Sequence, residues 1–185
     1  EIIDGENSIL RIPALLKKSG KKNVLLVTDK GITSLGLIGP LLAELEKAGI
    51  TCHVYDDTVA NPTIDNIEVA LKMYKENGCQ AIIAFGGGSP MDCAKGVGAR
   101  VARPNMTIPQ MRGLLKVMKK IPLLIAVPTT AGTGSETTIA AVISNPRTHE
   151  KYAVSDFHLV PKYAVLDPLI TVGLPPHITA TTGMD

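Results

Sequence analysis

Short strand-like segments alternate with helix-like ones along this chain, and that alternation limits its fold more than any other feature. Residues 23–28, 51–55, 81–85, 123–127 and 163–166 are apolar, rich in branched side chains and bounded by turn-forming residues. Between them, residues 9–18, 36–48, 63–77 and 90–102 place apolar side chains three and four apart, the spacing of a helix with one buried face. Strands that follow one another through helices run parallel and bury both faces. The chain is therefore expected to form an α/β, Rossmann-like, doubly wound and mostly parallel sheet, with ligands at the carboxyl ends of its strands. One β-hairpin insertion interrupts the order, because residues 140–144 and 151–154 flank the turn-rich Asn145-Pro146-Arg147-Thr148. With 185 residues and 45% hydrophobic content, the chain can bury the core such a sheet requires.

The third of these strands runs into AIIAFGGGSPMDCAK, residues 81–95. Gly86, Gly87 and Gly88 let the backbone turn tightly and a ligand approach it closely. Ser89 suits a helix N-cap, Pro90 the first helical position and Asp92 the place of a capping-box carboxylate. Free N–H groups and the positive end of a helix dipole beside a glycine turn suit a phosphate, although a strand-to-helix turn without a ligand uses the same residues. The stretch is not a GxGxxG. Asp29 ends the first strand in VTDK, where a carboxylate can accept both hydroxyls of an adenosine ribose and repel a 2′-phosphate, favouring NAD over NADP. In the common dinucleotide fingerprint the acid follows the glycines by about 20 residues, whereas here it precedes them. After the fourth strand, PTTAGTGSETT (residues 128–138) packs hydroxyls and small residues together, as a wall for a polar ligand or a flexible loop would.

A formal charge of +2 and the absence of basic runs interleaved with aromatics argue against a nucleic-acid partner. Lys116, Lys119 and Lys120 are expected on the solvated face of an amphipathic helix. Cys52, Cys79 and Cys93 lack metal-ligand spacing and are read as free thiols in a reducing, cytoplasmic compartment, Cys93 as a packing residue. No apolar run is long enough for a membrane span.

Taken together and in order, VTDK, ANPT, GGGSPMDCAK, PTTAGTGSE, KYAVSD, LDP and PPHITATTGMD resemble the iron-containing (group III) alcohol dehydrogenases over nearly the whole chain. The resemblance implies an N-terminal dinucleotide-binding α/β domain of the kind also found in dehydroquinate synthase, here residues 1–172. Residues 173–185 would begin a helical metal-binding domain whose remainder is absent, so that the chain is expected to be an N-terminal fragment of low activity. The family's short strand ahead of ENSI is expected to be missing from this chain. Carried over by residue, Asp29 would hold the adenosine ribose and Asn61 would approach the nucleotide. Gly87, Gly88 and Ser89 would bind the pyrophosphate, with Asp92 supporting the loop or touching the nicotinamide ribose. Thr129, Thr130 and Thr133 would line the cofactor, Lys151 would reach its ribose, and Ile170 stands where a leucine is frequent.

Asp185 matches the family's first metal ligand, for Fe2+ or Zn2+, while His53, His149, His158 and His177 match none and read as strand, hairpin-turn, loop and helix-start residues. The implied reaction is reversible, NAD-dependent hydride transfer between a small alcohol and its aldehyde, in a homo-oligomer. Ethanol, a longer primary alcohol, lactaldehyde with 1,2-propanediol, and 1,3-propanediol all fit. A dehydroquinate synthase-like or glycerol dehydrogenase-like enzyme and a non-catalytic nucleotide-binding module are the alternatives.

Overall fold

Hydrophobic alternation in the central strands becomes two separate cores, one on each side of a sheet. The computed structural model describes residues 1–174, 179–180 and 182–184. Its elements run β1 (Ile2–Asp4), α1 (Ile12–Lys18), β2 (Asn23–Val27), α2 (Lys30–Ser34), α3 (Gly39–Lys47), β3 (Thr51–Tyr55), α4 (Ile64–Glu76), β4 (Ala81–Gly86) and α5 (Gly88–Ala102). They continue through β5 (Gly113–Leu114), β6 (Leu123–Pro128), β7 (Ala140–Asn145), β8 (Glu150–Ser155) and β9 (Tyr163–Leu166). Six strands form one parallel sheet in the order β1-β9-β6-β4-β2-β3. Leu25, Val27, Ile82 and Ala84 face α4 and α5, where Ile67, Ala70, Leu71 and Val97 complete one core. Val24, Leu26, Ile83 and Phe85 face the other way, onto Ile12 and Leu16 of α1 and Leu41 and Leu45 of α3. A strand buried on both faces has no room for a polar side chain, which is why β4 reads AIIAFG without interruption.

Every strand and the hairpin expected from sequence are present. The hairpin does not lengthen the main sheet: β7 and β8 pair antiparallel and join β5 in a second sheet of order β5-β8-β7. It docks on the first layer through a bridge between Ser144 and Thr63, the residue that caps α4. Thr63 and Asn66 form a reciprocal capping box, which fixes where α4 starts.

Four expectations require correction. A strand does lie directly ahead of ENSI: Ile2–Asp4 pairs with β9, and with one buried residue, Ile3, it is too short to register as a pattern. Consequently Asp29 follows the second strand of the chain. Residues 9–18 are not one helix, since a 3-10 turn at Ser8–Arg11 precedes α1 and Pro13 sits in the first turn of α1. Around Lys116, Lys119 and Lys120 there is no helix. Leu115 and Met118 adopt φ of 52° and 45°, and their N–H groups go to the Ser155 carbonyl and the Asp156 carboxylate rather than back along the chain. Asp156 is buried there, also accepting from the His158 N–H and meeting the His158 ring at 2.7 Å. Burial alone would raise its pKa, but these hydrogen bonds outweigh it and hold the carboxyl below its ordinary value. Finally, α5 begins at Gly88 with Gly87 as its cap, so neither Ser89 nor Asp92 caps it.

Candidate functional site

A parallel sheet opens a crevice where successive connections leave in opposite directions, at the carboxyl ends of its strands. Here the chain steps outward from β2 to β3, then returns to β4 on the far side of β2 and continues to β6. A cleft of about 870 Å³ lies at that switch point. Its floor and walls are the residues that leave those strands: Asp29 after β2, Asp56 to Thr58 after β3, Gly87 to Pro90 after β4, and Thr129, Thr130 and Thr133 after β6. Leu174 and Thr182 also line it. Another crevice, of about 670 Å³, lies at the amino ends of the strands between Gln80, Lys120, Leu123 and Tyr163. Among the described residues that line it there is no glycine and no first turn of an α-helix, so the chemistry favours the cleft at the carboxyl ends.

The glycine turn forms its own part of the cleft. Gly86 takes φ +148°, and a Cβ there would lie 2.7 Å from the Pro90 ring, so this position admits only glycine. No side chain caps α5, which leaves the first N–H groups of a fifteen-residue helix to water or an anion. A Cβ on Gly87 would press on Thr130 Oγ1 at 3.2 Å, whereas one on Gly88 would make ordinary contact with Thr133 at 3.6 Å. Thr130 Oγ1 is buried without a protein partner, a polar atom on the cleft wall for which the chain itself supplies no hydrogen bond. A phosphate-bearing ligand lying over Gly87 and Gly88 suits both the open helix end and this hydroxyl.

Asp29 caps α2, accepting the Ile32 N–H through Oδ1 at 3.0 Å. Its neighbourhood is acidic: Asp56 accepts from Thr33 Oγ1, and Asp57 pairs with Lys30 at 2.7 Å on the surface. The pairing with Asp57 raises the Lys30 pKa. Sequence reasoning overlooked Lys30, Asp56, Asp57 and Thr58 as cleft residues. The available signal was YDDT, polar residues directly after a parallel strand.

Of the residues singled out from sequence, Asp29, Gly87, Gly88, Ser89, Thr129, Thr130 and Thr133 come together in the cleft. Asn61 stands at its edge in a left-handed conformation (φ 55°), donating its N–H to Ser89 Oγ. Asp92 accepts from Ser135 Oγ and the Val142 N–H at 3.0 Å each, and burial raises its pKa against those bonds and nearby Lys95. Lys151 lies exposed on β8 and Ile170 is buried in a 3-10 turn, and neither lines the cleft. Asp185 and His177 lie outside the described residues. Among the described residues, no three His, Cys, Asp or Glu side chains stand together as a metal would require. His53 is a strand residue, His149 a turn residue with φ 56°, and His158 is the partner of Asp156. Cys93 is buried, and burial pushes its thiol up to about 12, which makes it a packing residue and no nucleophile. No helix among the described residues is long and apolar enough to cross a membrane.

Comparison with known proteins agrees with this architecture. The family model described as "Iron-containing alcohol dehydrogenase" matches residues 1–168. The chain is 42% identical over 181 residues to alcohol dehydrogenase 4 of Schizosaccharomyces pombe, covering 98% of this chain and 43% of that protein. It is 36% identical over 183 residues to the 1,3-propanediol dehydrogenase of Citrobacter freundii, covering 98% of this chain and 47% of that one. Among solved structures, a 1,3-propanediol oxidoreductase superposes with a TM-score of 0.95 at 34% identity, over 100% of this chain and 48% of its own. A sulfoacetaldehyde reductase from Bifidobacterium kashiwanohense, solved in complex with NAD+, gives 0.88 at 30% identity, with the same coverage. The chain thus spans about half the length of these relatives. It belongs to the iron-containing alcohol dehydrogenase family.

Proposed function

We propose that this chain is the dinucleotide-binding part of an NAD-dependent, metal-dependent alcohol dehydrogenase that interconverts a small alcohol and its aldehyde. One observation carries the reading: the cleft at the switch point joins an uncapped helix N-terminus, a glycine floor and an unpartnered threonine hydroxyl with a carboxylate at the far strand end. In this assignment the pyrophosphate lies on Gly87, Gly88 and Ser89, and Thr129, Thr130 and Thr133 offer hydroxyls along the cofactor. Asp29 accepts the adenosine ribose hydroxyls through the carboxylate oxygen that does not cap α2. Asn61 holds Ser89 in place, and Asp92 holds the β6–β7 loop. Lys151 would reach the cofactor's ribose and Ile170 would contact it from outside the residues that line the cleft.

When bound, NAD supplies a hydride acceptor at its nicotinamide ring. The chain's own task is to hold the dinucleotide extended and partly shielded from water, so that the ring has a fixed position for an incoming alcohol. Iron or zinc would take Asp185 as one ligand and would polarise the alcohol oxygen; the described residues offer no complete donor set for it. The solved relative bound to NAD+ and the alcohol and propanediol dehydrogenases among the relatives support the choice of cofactor and substrate class. Titration of NAD and NADP into the purified chain tests it. NAD is expected to bind more tightly, and equal affinities would remove the role of Asp29.

A further inference from the structure

Lys95 is fully buried and lies in the second turn of α5, the helix whose first residues form the phosphate turn. Its Nζ donates to Ala140 O at 2.8 Å, Thr138 O at 2.9 Å and Thr138 Oγ1 at 3.0 Å, with Ser135 Oγ at 3.4 Å. Asp92, one turn earlier, takes Ser135 Oγ and the Val142 N–H. All of these partners lie on the irregular loop between β6 and β7 or on the start of β7. The same loop opens with Thr129, Thr130 and Thr133, which form one wall of the cleft. It contains few backbone hydrogen bonds of its own, so its far end is held from α5 together with the Asp156 N–H to Ile139 O bond and the pairing of Ala140 with Ser155. A buried ammonium is costly, and four oxygens converging on it are what make it tolerable.

We propose that Lys95, backed by Asp92, is a positioning residue for cofactor binding: it fastens residues 135–140 to α5 and so sets Thr129, Thr130 and Thr133 over the Gly87–Gly88 turn. The proposal rests on the reading of the cleft as a dinucleotide site. A single rigid helix then carries both the floor for the phosphates and the anchor of the opposing wall, which fixes the cleft width without a ligand present.

Protonation gives this arrangement a signature. Burial lowers the Lys95 pKa from 10.5 to about 8, opposed by Asp92 on its own helix and Glu136 on the loop. The neighbouring strand β7 contributes a carbonyl and no charge. When the loop opens, Lys95 becomes hydrated and its pKa returns toward 10.5, so opening takes up a proton between those two values. Raising the pH through about 8 therefore makes opening harder, the reverse of what loss of an ordinary exposed salt bridge would do.

Amide exchange, corrected for its intrinsic pH dependence and followed from pH 7 to 9.5, reads loop opening directly, and calorimetry with NAD reads the cleft. In the unmodified chain, protection of the 133–142 amides should rise above about pH 8. Lys95→Met should make it flat with pH, lower it at least about tenfold at pH 7 and weaken NAD binding by about ten- to a hundredfold, as expected for losing hydrogen bonds to a charged group. Amides of β2 and β4 should be unaffected. If Lys95→Met fails to fold because Asp92 is left uncompensated, the Asp92→Asn/Lys95→Met pair removes both charges, and Thr138→Val removes a single acceptor with a smaller loss in the same direction. Unchanged loop protection, or a loss spread evenly over β2, β4 and the loop, would overturn the proposal. Failure of the unmodified chain to bind NAD, with the loop responding as described, would overturn the cofactor reading and leave Lys95 a loop anchor only.

Discussion

Asp29 performs two jobs that a substitution can separate. One carboxylate oxygen caps α2 through the Ile32 N–H, and the residue lines the cleft, where the proposal sets the adenosine ribose. Asparagine caps helices about as well as aspartate. Asp29→Asn should therefore leave thermal stability within about 0.5 kcal/mol of the unmodified chain, since only the charge is removed. It should at the same time narrow the preference for NAD over NADP, measured by titrating both. Asp29→Gly would confuse the two roles by removing the cap as well. A loss of stability without any change in cofactor preference would make Asp29 a capping residue alone. This residue was legible in the sequence because its place, the end of a strand in a parallel sheet, is a place where ligands bind. Lys95 was not, because a lysine in a helical pattern reads as a solvated residue until the loop that covers it is known.

The glycines of α5 show how elements set the site. Gly96 lies where α5 crosses α4, and a Cβ there would approach Ile67 Cδ1 to 2.5 Å and Cγ1 to 2.9 Å. Ile67 is itself fully buried against the sheet, so it has little room to move. Gly96→Val is expected to destabilise the chain by about 1–3 kcal/mol through overpacking, with denaturant unfolding as the measurement. An unchanged midpoint would mean that the two helices can separate without cost. Helices and strands of this kind were legible because each carries its own periodicity and punctuation, as Thr63 and Asn66 do for α4. The segment from Gly113 to Met118 was not, because its backbone donors are satisfied by β8 and Asp156, partners distant in sequence, and that pairing overrides a helix-like apolar spacing. The glycine turn was legible in outline, yet its capping was misassigned, since Gly87 ends β4's extended path two residues before Ser89.

At the scale of the whole molecule, the sheet order places the carboxyl ends of β2, β3, β4 and β6 around one cleft, and large apolar side chains are exposed at its mouth and elsewhere. Leu35 and Val59 at its mouth, with Leu169, Val172 and Met184 near the described carboxyl-terminal residues, are exposed. Relatives about twice as long have further chain available to cover such surface. The 185-residue polypeptide by itself is accordingly expected to self-associate, to retain less than stoichiometric iron or zinc after dialysis, and to show no NAD-dependent oxidation of short alcohols. Light scattering, metal analysis and absorbance at the NADH band check these outcomes, and tight metal retention with turnover would relocate the active site. The central claim, that NAD lies with its phosphates over the glycine turn, is tested most directly at Gly88. A Cβ is sterically tolerated there by the folded chain, at 3.6 Å from Thr133, while a branched side chain would occupy the space above the helix N-terminus. Calorimetric titration of NAD into the unmodified chain and into Gly88→Val, with circular dichroism to confirm the fold of each, is the measurement. The account predicts saturable binding by the first and none by the second at equal helix content; a folded Gly88→Val that binds NAD as well as the unmodified chain would contradict it.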